Sequence, residues 1–212
     1  MTVTKGTNCG FVSVAPTSDP GGATAALDNT SRAQIDTAPA GATKITEIGW
    51  YAGTASEESN FEVGLYSHDT TNNCALDRLY VDNSNAKGTT EGWKTVAVDW
   101  AITAGTTYWI AVQLDDTATT TGYDYTTGTG TQSGVCTGGS ASLIDPWVNG
   151  GTGVRLTAFY AVWEAGAAGT NMQVNIGDVW KDIPTAQINI GDAWKPIAGA
   201  QINIGDVWKT IF

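Results

Sequence analysis

Few side chains in this sequence can do acid–base or nucleophilic chemistry. His68 is the single histidine, and the three cysteines are Cys9, Cys74 and Cys136. A serine or cysteine relay would have only His68 as its base, and no G-x-S-x-G elbow accompanies it. Multi-histidine zinc coordination is excluded on the same ground. The cysteines show no C-x-x-C spacing, and their odd number leaves at least one thiol unpaired within a chain. At most one internal bridge can form. Cys74 with Cys136 is the candidate pair, because both lie in polar loop sequence; the alternative is three reduced thiols. Asp115–Asp116 and Glu57–Glu58 are the neighbouring carboxylate pairs. A glycosidase holds two carboxyls ~5–9.5 Å apart across a cleft, whereas sequence neighbours on a strand point to opposite faces. Both pairs read as solvated turn acids. The expectation is a protein that is not an enzyme, with no catalytic residue.

Binding chemistry is better represented, through aromatic residues. Tyr123, Tyr125 and Trp147 fall in a long polar stretch and could form a stacking platform for a sugar ring. The alternative places Tyr123 and Tyr125 on a strand that covers a sheet edge. Trp50, Trp93, Trp100 and Trp109 read as core or sheet-edge packing.

The C-terminal stretch repeats itself. QVNIGDVWKDIPTA begins at Gln173, QINIGDAWKPIAGA at Gln187 and QINIGDVWKTIF at Gln201, a period of 14 residues. Gly177, Gly191 and Gly205 align, as do Trp180, Trp194 and Trp208, and Ile176, Ile190 and Ile204. Each unit reads as a β-hairpin turning at Gly-Asp, since Gly at the first position of a two-residue turn supplies the positive φ that the turn demands. A three-residue turn is the alternative. The two choices place Trp differently relative to its Ile partners, so the buried face stays open. The units together make a meander of about 40 residues, too small to be comfortable alone. The six Trp and Ile positions are the expected assembly interface, because Trp is enriched where interfaces bury anchors. Packing of the repeats against their own body is the alternative.

Composition sets the frame for these residues. Charged residues make up 15% of the 212, Gly numbers 26, and the net charge is −11. No basic patch is evident to neutralise phosphates, so nucleic acid and anionic membrane surfaces are poor partners. Low charge with abundant Gly and Thr favours strands and turns over helices. No apolar segment approaches the ~18–20 residues of a membrane helix, and the opening MTVTKGTNCGFVSVA lacks a signal peptide's apolar centre.

Eight strands are expected in residues 1–163. They run around Phe11–Val14, Ala33–Thr37, Ile45–Trp50, Phe61–Tyr66, Leu79–Val81, Val96–Trp100, Tyr108–Leu114 and Val154–Val162. Polar Gly-rich gaps between them imply an all-β sandwich of two sheets. A further strand near Gly122–Thr127 is expected to interrupt the long gap from Asp115 to Gly153, because structureless loops of that length are uncommon in compact domains. Residues 164–170 (EAGAAGT) read as a linker, and residues 171–212 as the repeat element.

The strings ITEIGWYAG (45–53), FEVGLYS (61–67), GWKTVAV (92–98) and AGTTYWIAVQL (104–114) resemble a jelly-roll module of phage virion proteins and bacterial surface proteins. The likeness covers about residues 42–163. The segment after FEVGLYS departs from it, reading HDTTNNCALDRLYV with His68 and Cys74. The NIGDVWK repeats resemble hairpin repeats of phage structural proteins. These resemblances imply an eight-stranded jelly-roll-like sandwich with a non-catalytic role. Such modules sometimes carry structural calcium on loop carboxylates, for which Asp115, Asp116, Asp124 and Asp145 are available; no EF-hand-like spacing is present, and no metal or cofactor is expected. The function implied is a virion structural component, a decoration, fibre or tail subunit, assembled in the host cytoplasm through self-association or contact with other virion proteins. The alternatives are an extracellular bacterial or archaeal filament subunit and a carbohydrate-binding adhesin module.

Overall fold

The structure is a computed structural model. It describes residues 2–27, 30–55, 60–114, 121–136 and 142–166, plus the strands of residues 172–210, with backbone only for those tail strands and for Asn60, Ser84, Asn85 and Cys136. The chain divides into two compact units, Met1–Ala165 and Gly166–Phe212. Among the described residues every regular element is a strand.

The first unit contains β1 (Gly10–Val12), β2 (Ala23–Leu27), β3 (Arg32–Thr37), β4 (Ala42–Ala52), β5 (Asn60–Asp69), β6 (Cys74–Ala86) and β7 (Gly92–Ala101). It continues with β8 (Thr107–Leu114), β9 (Thr121–Thr127), β10 (Ser133–Cys136), β11 (Asn149–Gly153), β12 (Arg155–Thr157) and β13 (Phe159–Ala165). Among the described residues thirteen strands therefore stand where eight, with a further one near Gly122–Thr127, are expected from sequence. The additional ones are short or built of small residues, such as ATAAL, SGVC and NGGTG, and carry little apolar alternation. The single strand expected across Val154–Val162 is two. At Ala158 the chain changes partner: its N–H donates to Asp124 C=O on β9 (2.9 Å), and its C=O accepts from Tyr51 N–H on β4 (3.0 Å). β12 accordingly pairs with β9, and β13 with β4. β13 also runs two residues into the expected linker, where Glu164 lies opposite Lys44 and pairs with its ammonium (3.4 Å).

Two sheets form. One is seven-stranded, in the order β1-β13-β4-β9-β12, with β2 also on β9 and β7 also on β4; the other is β11-β10-β3-β8-β5-β6. β1–β13 is parallel and the other pairings are antiparallel. Period-two alternation aims Ile48, Trp50, Phe159 and Tyr123 of the first sheet at Val63, Leu65, Ile110 and Val112 of the second, and all are buried in one core. β8 is buried on both faces. Its outer side, with Trp109 and Ala111, packs with Tyr66, Leu143 and Trp147. Residues 142–148 thus form a third layer, anchored by polar contacts. Leu143 N–H donates to the buried Glu62 carboxylate, Tyr66 OH to Ile144 C=O (2.8 Å), and Trp147 N–H to Leu76 C=O (2.7 Å).

In the second unit β14 (Met172–Ile176) pairs with β15 (Val179–Ile183), β16 (Gln187–Ile190) with β17 (Ala193–Pro196), and β18 (Gln201–Ile204) with β19 (Val207–Thr210). Among the described residues each pair is a two-stranded sheet whose ladder lies within one repeat.

Candidate functional site

β3 is where the sandwich departs from ordinary core patterning. Arg32, Gln34 and Asp36 alternate with Ala33 and Ile35. Their cross-strand partners on β8 are Val112, Ile110 and Tyr108, all members of the inter-sheet core. Opposed residues share a face, so three polar side chains stand on the inner side of the sheet. Two of them are fully engaged. Gln34 is 0% exposed; its Oε1 accepts from Thr157 N–H (2.7 Å) and Oγ1–H (3.0 Å), and its Nε2 donates to Ile35 C=O (3.0 Å). The Asp36 carboxylate accepts from Phe11 N–H (2.9 Å), Thr37 N–H (2.9 Å) and Lys5 Nζ (3.3 Å). Arg32 differs: its Nε is buried with no hydrogen-bond partner, and it makes no ion pair among the described residues.

The opposite wall comes from β9 and β12. Arg155 Nη1 donates to Tyr123 OH (3.2 Å), and the guanidinium lies 4.1 Å over the Tyr125 ring. Thr157 is buried beside them, held by Gln34. Between the walls is a crevice of about 460 Å³ lined by Arg32, Arg155, Tyr123, Ser133 and Thr157, with backbone of Gly134 and Gly153. The whole chain has three arginines, Arg32, Arg78 and Arg155, and two of them meet here. Arg155, like Arg32, has no carboxylate partner among the described residues. Two planar cations with no anion partner among the described residues can seat an oxyanion, which guanidinium groups engage through paired N–H donors.

The residues expected from sequence to stack on a sugar are not brought together. Tyr123 is 1% exposed and packs on Phe159 (5.5 Å), because β9 turns it inward. Tyr125 is half-buried, with Arg155 on its ring. Trp147 is 6% exposed and meets the Tyr66 ring edge-on at 5.0 Å, on the outer face of the other sheet. Tyr123 lines the crevice, with its hydroxyl accepting from Arg155 Nη1, and the three-aromatic platform does not form.

The candidate Cys74–Cys136 bridge is not formed, since Cys74 is a free, buried thiol. Cys74 opens β6 and Cys136 closes β10, with β5, β8 and β3 between them in strand order; a bridge needs Cα atoms about 4.4–6.8 Å apart. Cys9 is likewise free, and burial pushes its thiol pKa far up.

Of the acids offered for calcium, Asp115 and Asp116 lie outside the described residues, as do Glu57 and Glu58. Asp124 is on β9, where its Oδ1 accepts from Thr24 Oγ1 (3.2 Å); Asp145 is in the covering layer, where its Oδ1 accepts from Arg78 N–H (3.0 Å). Burial holds the Asp124 carboxyl above its usual range. No group of three or more His, Cys, Asp or Glu is placed to hold a metal among the described residues. His68 Nδ1 accepts from Trp109 Nε1–H (3.1 Å), which ties the ring to the outer face of β8.

In the repeats the register opposes Ile176 to Val179, Ile190 to Ala193 and Ile204 to Val207, so two residues separate the strands in each. Trp180, Trp194 and Trp208 stand opposite Asn175, Asn189 and Asn203. By strand alternation, the Trp positions and the Ile positions fall on opposite faces of each hairpin. The expected interface of six residues therefore divides into two faces. Their side chains lie outside the described residues.

Sequence reading missed Arg32 and Arg155. In RAQID the apolar Ala33 and Ile35 look like the inward set, and only the third layer over β8 makes that face a second core. The available signal was scarcity: three arginines in 212 residues.

No protein-family model matches the chain, and no curated protein matches it. Among solved structures, it is similar to the cysteine protease and lectin-like domains of Cwp84, a surface layer associated protein of Clostridium difficile, with 12% sequence identity and a TM-score of 0.39. That similarity covers 62% of this chain and 33% of the other, so it spans about a third of that chain's length.

Proposed function

We propose that the protein is a non-enzymatic structural component of a virion, a decoration, fibre or tail subunit, that displays a jelly-roll-like sandwich and self-associates through residues 171–212. The observation that carries the reading is the threefold hairpin, with the same register in each repeat and each hairpin a separate two-stranded sheet. Isolated hairpins are marginal in water, and their outer edges present backbone groups that another strand can complete. Repetition offers a partner the same chemistry three times. In the sandwich, β2 through β5 and β7 through β10 pass back and forth between the two sheets, which supports the jelly-roll reading.

Sedimentation and electron microscopy of the full chain and of residues 1–166 test this. The full chain forms a defined oligomer or particle and the shortened chain stays monomeric; equal assembly by both overturns it.

A second reading, a filament subunit joined by strand addition, is favoured by β6. This edge strand is covered by Trp147 at Leu76, but beyond that Leu79 and Val81 are 45% and 39% exposed. Filaments formed by residues 1–166 alone would select it.

A further inference from the structure

We propose that the crevice between β3, β10 and β11 on one side and β9 and β12 on the other binds an acidic sugar, whose oxyanion sits between Arg32 and Arg155. Nothing in the assembly reading requires this site.

Three observations carry it. First, the fold places two arginines on the inner faces of a sandwich without supplying an anion for either among the described residues, although the chain has 21 acids. Neighbouring polar groups are satisfied: Gln34 by Thr157 and Ile35, and Asp36 by Phe11, Thr37 and Lys5. Among the residues that line the crevice, the buried polar atom left without a partner is Arg32 Nε, and a buried donor left unmade is costly.

Second, Arg155 is held in place before any ligand arrives. The Tyr125 ring beneath it and the Tyr123 hydroxyl beside it fix the guanidinium plane. A fixed plane loses less entropy on pairing with a planar or tetrahedral oxyanion.

Third, size and lining choose the body attached to that anion. About 460 Å³ lies within the ordinary range for small-ligand sites. The hydroxyl-bearing Ser133, Thr157 and Tyr123 line it together with the apolar Val135 and Val154, a mixture that suits a ring with a hydroxylated rim and an apolar face. A long polyanion would meet a chain of net charge −11 outside the crevice. A single acidic residue, free or at the end of a glycan, avoids that repulsion. The charge can be a carboxylate or a phosphate, since both match the guanidinium fork.

Titration calorimetry on the full chain separates these possibilities with four probes: glucuronate, glucose 6-phosphate, glucose and N-acetylglycine. Glucuronate, glucose 6-phosphate or both should bind in the millimolar range, and whichever binds identifies the source of the charge. Glucose and N-acetylglycine should bind at least about tenfold more weakly. Arg32→Gln and Arg155→Lys should each weaken the acidic sugar about tenfold while the melting temperature stays near the parent's; Arg155→Lys keeps the charge and removes only the fork. Equal binding of glucose and glucuronate, equal binding of N-acetylglycine, absence of any binding, or parental affinity in both variants would each overturn the assignment.

Discussion

Tyr160 faces Gly49 across the β4–β13 ladder, with its ring over the space where a Cβ at position 49 would stand. The phenol then reaches along β4 to donate to Glu47 Oε1 (2.7 Å), while Trp93 meets the ring edge-on at 5.3 Å. Glycine at 49 is therefore a packing requirement of the aromatic opposite it. Gly49→Ala should destabilise the sandwich by about 1–3 kcal/mol through overpacking, lowering the melting temperature by several degrees. In Tyr160→Ala the same change should cost much less, so a double-mutant cycle by thermal melting should be strongly non-additive. Additive losses would mean that the ring does not occupy that space.

The free thiols make a second prediction. Cys9 and Cys74 are buried, and burial raises the pKa of both, which keeps them protonated and shielded. In a Cys136→Ser background, iodoacetamide at about pH 8 should leave both unmodified in the native protein and label both in denaturant. Mass spectrometry reads the result. Reductant should leave the melting temperature of the parent chain unchanged, because Cys74 holds no bridge whose loss would cost the ~2–5 kcal/mol typical of small secreted domains.

Asp124 makes a pH-dependent prediction. Its folded pKa lies above the unfolded value, chiefly through desolvation on β9, with Asp19 and Glu91 adding repulsion and Thr24 opposing. Ionisation therefore costs stability. The cost is absent below the unfolded carboxylate value of ~3.9 and complete above the folded one. Asp124→Asn, which keeps an acceptor for Thr24, should raise the melting temperature at neutral pH by on the order of 1 °C. The gain should vanish near pH 3. A gain that persists there would assign the effect to packing.

Legibility in the sequence followed the period-two signal. β5 and β8 are readable because FEVGLYS and TYWIAVQL alternate cleanly and pair with neighbours on both sides within their sheet. The same signal leaves the inward face of β3 undetermined, although its alternation is visible. A sheet with a core on one side and a covering layer on the other has two apolar faces, so Ala33 and Ile35 gave no hint that Arg32 and Gln34 face the other sheet. Trp147 was misplaced for a related reason. Its surroundings, LIDPWVNGG, read as an exposed loop, whereas long-range contacts to Leu76, Tyr66 and Glu62 turn that stretch into a buried lid on β8. Local sequence carries no record of partners some 65–80 residues away.

The division of each repeat into two faces gives the last prediction. Register puts position 180 with Asn175, and position 176 with Val179; the neighbouring pairs are Val174–Lys181 and Gln173–Asp182. In the first repeat one face therefore holds the Val, Ile and Lys positions, and the other holds Trp with Asn, Gln and Asp, the last replaced by Pro196 and Thr210 in the other two repeats. The first composition suits closure of the repeat unit upon itself. The second, an aromatic among amide groups, suits a docking surface, where Trp supplies area and polar neighbours supply direction. Replacing Ile176, Ile190 and Ile204 together by Ser should remove the strand signal of residues 171–212 and abolish assembly as a consequence. Replacing Trp180, Trp194 and Trp208 together by Ser should leave that strand signal in place and still abolish assembly. Circular dichroism of the full chain, with the spectrum of residues 1–166 subtracted, reads the first property and sedimentation velocity the second. Burial of each Trp is worth about 5 kcal/mol before ordering costs, at ~200 Å² and ~25 cal/mol/Å², so the tryptophan variant should dissociate at any ordinary concentration. If it assembles like the parent while its strands persist, the Trp face is not the docking surface, and the contact must be sought at the hairpin edges.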